Sequence, residues 1–114
     1  MPRERIATWP RGTANRFSVK PNETLTGTRV ITLAEINRFQ GFAFDPGGAA
    51  RNVDLPAAAN CAGAYLMISN TADAAEIITV RTSAGATILT PTQAEAALLW
   101  CDGTSWYGLV GAQS

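Results

Sequence analysis

The sequence predicts an all-β protein: a single antiparallel β-sandwich or jelly-roll-like domain of about eight short strands, preceded by an extended N-terminal arm. From Thr24 onward, short stretches rich in Val, Ile, Thr and aromatic residues alternate with Gly, Pro, Asn and Asp, the pattern of strands joined by turns. They recur roughly every ten residues, the spacing typical of a sandwich or small barrel. The 114 residues suit one domain, and we place the arm at residues 1–22 and the domain at residues 23–114.

The first half of the domain contains three predicted strands and one helical turn. Residues 26–33 are rich in Val, Ile and Thr, and the sequence Thr32-Leu-Ala-Glu35 at their end is a capping box, which predicts a short helical turn. Residues 39–45 alternate at period two and end at the turn sequence Asp45-Pro-Gly-Gly48. Residues 51–55 alternate in the same way and form the third predicted strand.

The second half of the domain contains five more predicted strands. Residues 57–63 are mostly alanine and predict a loop or a close-packed crossing rather than a strand. Residues 64–70 are almost continuously apolar, as expected for a strand that is covered on both faces. The sequence Asp102-Gly-Thr-Ser105 is the strongest hairpin signal in the chain. The other predicted strands are residues 76–82, 86–89, 97–101 and 106–110.

Charge is distributed unevenly between the arm and the domain. Residues 1–20 carry a net charge of +4 and residues 21–114 a net charge of −4, although the whole chain is neutral. An aromatic residue beside a proline in a charged arm is a low-cost anchor, because little of its freedom remains to be lost on docking. The candidate binding residues of the arm are Arg3, Arg5, Trp9, Arg11, Arg16 and Phe17. A frayed terminus that only aids solubility is the alternative.

Composition excludes several functional classes. Without histidine, the chain has neither the usual serine or cysteine triad nor a His-based zinc site. Cys61 and Cys101 lie 40 positions apart, so we expect buried reduced thiols, with a disulfide as the alternative. Glycosidase chemistry needs only two carboxylates, but the acids here are scattered on turns and strand ends. We therefore predict no enzyme activity, no cofactor and no metal site.

The sequence also argues against two classes of partner, nucleic acid and membrane. Five scattered cations make a weak electrostatic footprint for nucleic acid, so we expect no nucleic-acid partner. No apolar run approaches the ~20 residues of a membrane helix, and the start of the chain lacks the apolar stretch of a signal peptide. We therefore predict no membrane association, and synthesis in the cytosol.

Three motifs carry a resemblance to a known class of proteins. Residues 42–56, FAFDPGGAARNVDLP, read as a strand, a turn and a strand ending in "V-x-LP". Residues 65–73, YLMISNTAD, read as a hydrophobic run followed by "N-T", and residues 100–106, WCDGTSW, as a closing "DGT-x-W" hairpin. In this order, over about residues 25–110, the motifs resemble tailed-bacteriophage capsid decoration proteins, also called cement or head-stabilising proteins. They are also similar to the related small trimeric β-domains of phage fibres.

The resemblance implies a structural virion protein on the outer surface of a capsid, made in the cytoplasm of the host bacterium. Its partners would be the major capsid protein and two further copies of itself, in a trimer at three-fold or quasi-three-fold positions. The arms would reach across neighbouring coat subunits and stabilise the shell. Fibre domains of this kind usually sit within much longer chains, so we expect decoration rather than a fibre role.

A trimer is also plausible on physical grounds. Twenty residues are alanine, so the monomer core is thin and burial of further apolar surface between copies is favourable. Each candidate for that interface also fits an ordinary core position. The interface candidates are Phe42, Phe44, Trp106, Tyr107 and Leu109, together with Phe39.

A receptor- or glycan-binding module of a phage fibre or spike is the alternative function. In that case Trp100, Trp106 and Tyr107 would form a stacking platform for sugar rings.

Overall fold

A computed structural model describes residues 16–113, and strands predominate in this part of the chain. The nine strands are β1 (Glu23–Thr24), β2 (Arg29–Val30), β3 (Gly41–Asp45), β4 (Arg51–Asp54), β5 (Tyr65–Asn70), β6 (Ile78–Arg81), β7 (Thr87–Leu89), β8 (Glu95–Cys101) and β9 (Trp106–Ala112). A short helix, α1 (Leu33–Arg38), and a 3-10 turn (Ala58–Asn60) complete the elements. The predicted β-rich class with little helix is confirmed.

The strands form two mixed sheets. The larger sheet has the order β1-β3-β5-β8-β9 and the smaller one β2-β4-β6-β7. The pairs β1/β3, β3/β5, β2/β4 and β4/β6 are parallel, whereas β5/β8, β6/β7 and β8/β9 are antiparallel. The prediction of a wholly antiparallel domain is therefore wrong, because local patterns do not show in which direction distant strands pair.

The parallel pairs arise because the chain winds between the sheets. From β1 to β6, successive strands alternate between the larger and the smaller sheet, so that each turn adds one strand to each. In the larger sheet Glu23 lies beside Phe44, 21 residues later, and Phe44 lies beside Asn70, 26 residues later. Successive windings of the chain differ in length and carry unlike residues at equivalent positions. The sequence therefore shows no repeat.

A single apolar core draws on both sheets. Its buried members include Phe42, Phe44, Leu66, Ile68 and Leu99 from the larger sheet, and Val53, Ile78 and Val80 from the smaller one. The sheets approach closely at Gly108, where an added Cβ would lie 2.5 Å from Leu89 Cδ1. Trp106 is also buried, and its Nε1 donates to Pro56 O at 3.0 Å.

The locally encoded turns are confirmed. Thr32 caps α1, and its hydroxyl oxygen accepts from Glu35 N while the Glu35 carboxylate accepts from Thr32 N. After β3, Asp45 Oδ1 accepts from Gly47 N at 3.0 Å, where the φ of Gly47 is +76°. In the β8–β9 hairpin, Asp102 Oδ1 accepts from the backbone N–H groups of the two residues before Trp106, each at 2.8 Å.

The end of the predicted arm contacts the larger sheet. Ser18 O accepts from Gln40 N at 2.9 Å and Gly41 N at 3.0 Å, and Lys20 N donates to Gly41 O at 2.8 Å. Val19 forms a parallel bridge with Gly41. The chain therefore enters the described structure along the edge of β3. The predicted boundary after residue 22 stays a prediction.

Candidate interaction surface

Side chains on the last strands of the larger sheet alternate between buried and exposed. On β8, Leu99 and Cys101 point into the core, while Leu98 and Trp100 are exposed. On β9, Trp106 is buried and the next residue, Tyr107, is about half exposed. The alternation is that of a sheet with one face on the core, but here the exposed positions are apolar as well.

The pairing register aligns these exposed side chains in two rows across three strands. One row runs from Tyr65 on β5 through Trp100 on β8 to Tyr107 on β9. The second row runs Met67, Leu98 and Leu109. Neighbours in a cross-strand row lie about 4.5–5.5 Å apart at Cβ, so their side chains pack together. We call the resulting surface the apolar face, and its residues are Tyr65, Met67, Leu98, Trp100, Tyr107 and Leu109.

Aromatic stacking holds part of the apolar face. The rings of Trp100 and Tyr107 stack with centroids 6.0 Å apart and an interplanar angle of 25°. Cross-strand aromatic pairs of this kind stabilise a sheet by about 0.5–1.5 kcal/mol beyond the area they bury. The pair is therefore a fixed element of the face, with one side of each ring turned towards the other.

The N-terminal segment extends the apolar face across β3. Gly41 pairs with Met67 in the sheet, and a Cβ built on Gly41 would lie 2.9 Å from Phe17 Cε1 and 3.0 Å from Val19 Cγ2. The side chains of Phe17 and Val19 thus occupy the space above Gly41, and both are exposed to solvent on their other side. The face is therefore continuous with the point where residues 1–15 join the domain.

No charged residue interrupts the apolar face. The outward positions of the three strands are occupied by Tyr65, Met67 and Ser69 on β5, by Ala96, Leu98 and Trp100 on β8, and by Tyr107, Leu109 and Gly111 on β9. Soluble monomers rarely expose contiguous apolar patches of more than a few hundred Å², and larger patches mark interaction sites. Among residues 16–113, this face is the candidate contact surface.

The predicted interface residues fall into two groups. Phe42, Phe44 and Trp106 are buried within the chain's own core, so their assignment to an interface is corrected here to ordinary core positions. Phe39 packs against the same core and is partly buried. Tyr107 and Leu109 are exposed and belong to the apolar face.

The predicted arm residues are only partly within the described chain. Arg3, Arg5, Trp9 and Arg11 lie outside residues 16–113. Arg16 is exposed, and Phe17 covers Gly41 as described above.

Sequence reasoning missed half of the apolar face. Tyr65, Met67 and Leu98 were not predicted as contact residues, and Trp100 entered only as a sugar platform. The nearly continuous apolar run of residues 64–70 was the available signal, since it predicted a strand covered on both faces. Within the described part of the chain only one face of β5 is covered: Leu66 and Ile68 are fully buried while Tyr65 is half exposed.

An ionic network around Arg29 lies at the edge strands β1 and β2, at the other side of the larger sheet from β9. The Arg29 guanidinium donates to the Glu23 carboxylate at 2.9 and 3.2 Å and to the Glu35 carboxylate at 2.9 and 2.6 Å. Its Cζ also lies 5.6 Å from the centre of the Phe44 ring. Hydrogen bonds from Arg29, with a further one from the backbone of Thr32, lower the pKa of Glu35 to about 2. The two carboxylates in turn raise the pKa of Arg29 above its usual range.

Three acidic side chains converge beyond the ends of β3 and β5. One carboxylate oxygen from each of Asp45, Asp73 and Glu76 lies within 4.8 Å of the other two. Glu76 Oε1 is buried and has no hydrogen-bond partner among residues 16–113. Carboxylates are ligands that Ca²⁺ takes, and three close negative charges repel one another in its absence. These residues were not singled out by sequence reasoning, and the expectation of no metal stays a prediction.

A groove of about 500 Å³ lies beside the turn of the β8–β9 hairpin. It is lined by hydroxyl-bearing residues around Trp106, namely Thr82, Ser83, Thr87, Thr104 and Ser105, with Ala58, Ala84 and Ile88. Hydroxyl groups beside an indole suit a polar ligand such as a sugar. Only the edge of Trp106 is available there, because the residue is mostly buried.

Both cysteines are buried free thiols, as predicted. Burial, followed by the proximity of Cys101, raises the pKa of Cys61. Cys101 Sγ is held by contacts to Ala58 O and to the N–H of Gly103, each at 3.4 Å. The two thiols are therefore packed as core residues rather than poised for reaction.

No protein-family model, curated protein or solved structure matches this chain. Among residues 16–113 there is no helix with the length and apolar content that a bilayer crossing requires.

Proposed function

We propose that this protein is a structural virion protein that binds the outside of a bacteriophage capsid as a trimer and stabilises the shell. In this proposal the two sheets pack face to face as a sandwich, and residues 1–22 form an arm that clamps neighbouring coat subunits. The resemblance of residues 25–110 to capsid decoration proteins supports the virion role. The composition supports a binding role over catalysis, because histidine, the commonest general base, is absent.

The apolar face is the observation that carries the proposal. A domain of this size that leaves an uncharged, aromatic-rich sheet face exposed is built to contact another protein. Phe17 and Val19 connect this face to the basic residues 1–15. A contact surface and a cationic arm that begins beside it suit an assembly protein, in which self-association brings several arms to one place.

The arms act through multivalency. Arg3, Arg5, Arg11 and Arg16 pair with acidic groups on the coat surface, and Trp9 fills an apolar pocket. Three arms on one particle bind far more tightly than one arm, provided that all three engage at once. A protein that binds only the expanded shell stabilises that shell by mass action. The acidic domain faces outward, where its negative charge favours solubility.

Attachment to capsids tests this function directly. A major coat protein is expected to be encoded next to this chain, and expanded capsids assembled from it provide the binding partner. Deletion of residues 1–15 is expected to abolish co-sedimentation with these capsids while leaving the circular dichroism spectrum unchanged, because the strand contacts of Ser18 and Lys20 are retained. Undiminished co-sedimentation of the truncated protein would refute the clamp.

Single substitutions in the arm give a finer test. Trp9→Ala is expected to weaken attachment more than Arg11→Gln, because an exposed ion pair contributes under ~1 kcal/mol whereas a buried aromatic anchor contributes ~2 kcal/mol or more. Equal effects would show that Trp9 is not an anchor.

Glycan binding by a fibre or spike is the second candidate function. The hydroxyl-lined groove beside Trp106 and the exposed Trp100–Tyr107 pair favour it. Binding of the isolated protein to a host-surface polysaccharide, lost in Trp100→Ala and without affinity for capsids, would support this candidate against the capsid clamp.

A further inference from the structure

We infer that the apolar face lies in the trimer interface, and that its occupant is a neighbouring copy of this chain. The inference rests on the trimeric state in the proposed function and deepens it by assigning the contact residues. It replaces Phe42, Phe44 and Trp106, which the core already uses, with Tyr65, Met67, Leu98 and Trp100 beside Tyr107 and Leu109.

The composition of β5 indicates that its outer face is covered in the assembled protein. Almost every residue from Tyr65 to Ile68 is apolar, a pattern found in strands that are buried on both faces. Residues 16–113 cover one face only, that of Leu66 and Ile68. A partner seated on Tyr65 and Met67 supplies the missing cover.

Charge favours a copy of the chain as that partner. A surface that joins copies of one chain has to avoid placing like charges against each other, because an unpaired buried charge is costly. The outward positions of β5, β8 and β9 meet this condition. An acidic coat surface, by contrast, is complementary to the arm and offers nothing to an uncharged aromatic face.

The size of the face fits a stable interface. The three strands of the apolar face and the part of β3 covered by Phe17 and Val19 make four strands about 4.8 Å apart, and with a seven-residue strand rising about 3.4 Å per residue they give a face of roughly 19 by 24 Å. Protruding side chains raise its accessible area above that footprint, close to the ~800 Å² per partner that a standard interface buries. The apolar face together with Phe17 and Val19 is needed to reach this area.

The edge of the sheet gives a second reason for self-association. β9 is the terminal strand of the larger sheet in the described residues, and its seven residues contain neither charge nor proline. Long apolar edges invite aggregation unless they are covered. Three copies around a three-fold axis, each with its apolar face and β9 against a different surface of the next copy, cover the edge and close the assembly, because a head-to-tail contact with three-fold rotation leaves no contact patch unpaired.

Light scattering behind a sizing column tests the inference with matched substitutions. Leu109 is 60% exposed on the apolar face and Val30 is 57% exposed on β2 of the smaller sheet. Leu109→Asp is expected to convert a particle of about 36 kDa into one of 12.0 kDa, the mass of one chain, whereas Val30→Asp keeps the larger mass. Leu98→Asp against Ile77→Asp is an independent pair, similar in exposure, should Leu109→Asp fail to fold.

The outcomes separate the interface from the function. A wild-type trimer that survives both Leu109→Asp and Leu98→Asp would overturn the interface, while capsid binding by that trimer would leave the proposed function standing. Dissociation of the face variants alone would support the interface, even if wild-type protein failed to bind capsids and the decoration role fell. A wild-type monomer or dimer at micromolar concentration would overturn the interface as assigned.

Discussion

The inner and outer faces of the larger sheet are built from alternate residues of the same strands, yet only the inner face is covered by the residues that the structure describes. On β8 the neighbours Leu98 and Leu99 are chemically identical, but Leu98 is 39% exposed and Leu99 is fully buried. On β9 the aromatic neighbours Trp106 and Tyr107 differ in the same way. An apolar side chain therefore does not by itself report a core position in this protein.

The difference between the faces separates folding from assembly. The inner face meets the smaller sheet in one shared core, which holds the fold of each copy. The outer face has no such cover in the described residues, and its positions on β5, β8 and β9 carry no charge. We interpret the first face as the source of monomer stability and the second as the source of association, and four substitutions or measurements test that division.

The largest effect is expected from the matched leucines of β8. Leu99→Ala should lower the free energy of unfolding by about 2–5 kcal/mol, because it removes buried methyl groups and leaves a cavity. Leu98→Ala should change it by less than about 1 kcal/mol. Both are measured by urea denaturation in the Leu109→Asp background, where association is absent. Equal losses would show that the outer face is part of the monomer core.

Two glycines of β9 give the next largest contrast. Gly108→Ala is expected to destabilise the fold by about 1–3 kcal/mol, because the new Cβ would lie 2.5 Å from Leu89 Cδ1 and 2.9 Å from Leu98 O. Gly111→Ala has no atom within 4 Å of its new Cβ and should be tolerated. Thermal unfolding of the two variants measures this difference in stability. A tolerated Gly108→Ala would mean that the smaller sheet lies further from β9 than we describe.

The ionic network at Arg29 makes the inner face sensitive to acid. Because the folded chain holds the pKa of Glu35 at about 2, the network stabilises the fold above the usual carboxyl pKa near 4.5, and this contribution is lost as the pH falls towards 2. Arg29→Gln should cost about 1–2 kcal/mol at pH 7 and flatten the loss between pH 4.5 and 2. An unchanged acid profile in Arg29→Gln would assign the acid sensitivity elsewhere.

The reactivity of the two cysteines tests whether the inner face is closed, without altering the stability of the protein. Cys61 and Cys101 are buried, and the pKa of Cys61 is raised by that burial and by its neighbour. Labelling with a thiol reagent at pH 8 should be at least about a thousandfold slower than in urea, because only the unfolded fraction reacts. Cysteine introduced at Leu98 in the Leu109→Asp background should react at once. Rapid labelling of the native thiols would contradict a closed core.

Local structure was the part of the fold that the sequence could predict. The capping box at Thr32, the turn after Asp45 and the hairpin at Asp102 depend on hydrogen bonds within a few residues, and all three are present. The pairing of β1 with β3 and of β3 with β5 depends on segments 21–26 residues apart that meet through the winding of the chain. No local pattern encodes that meeting, so the parallel pairs were missed.

The apolar face was only half predictable for a related reason. Alternation identified two sides of each strand, but the side that the smaller sheet covers is fixed by topology. Phe42 and Phe44 therefore fitted an interface as well as an ordinary core position until their burial was known, although the core was the favoured interpretation. Tyr107 and Leu109 were identified because they are conspicuous beside a hairpin, whereas Met67 and Leu98 lie within ordinary apolar runs.

The mass of the wild-type particle in solution tests the central claim, that the uncovered sheet face joins copies of this chain. Light scattering at micromolar concentration is expected to give about 36 kDa, three times the 12.0 kDa of one chain. A single stable species of 12.0 kDa would mean that the exposed aromatic rows remain in water, and the account of this protein as an assembly component would be contradicted.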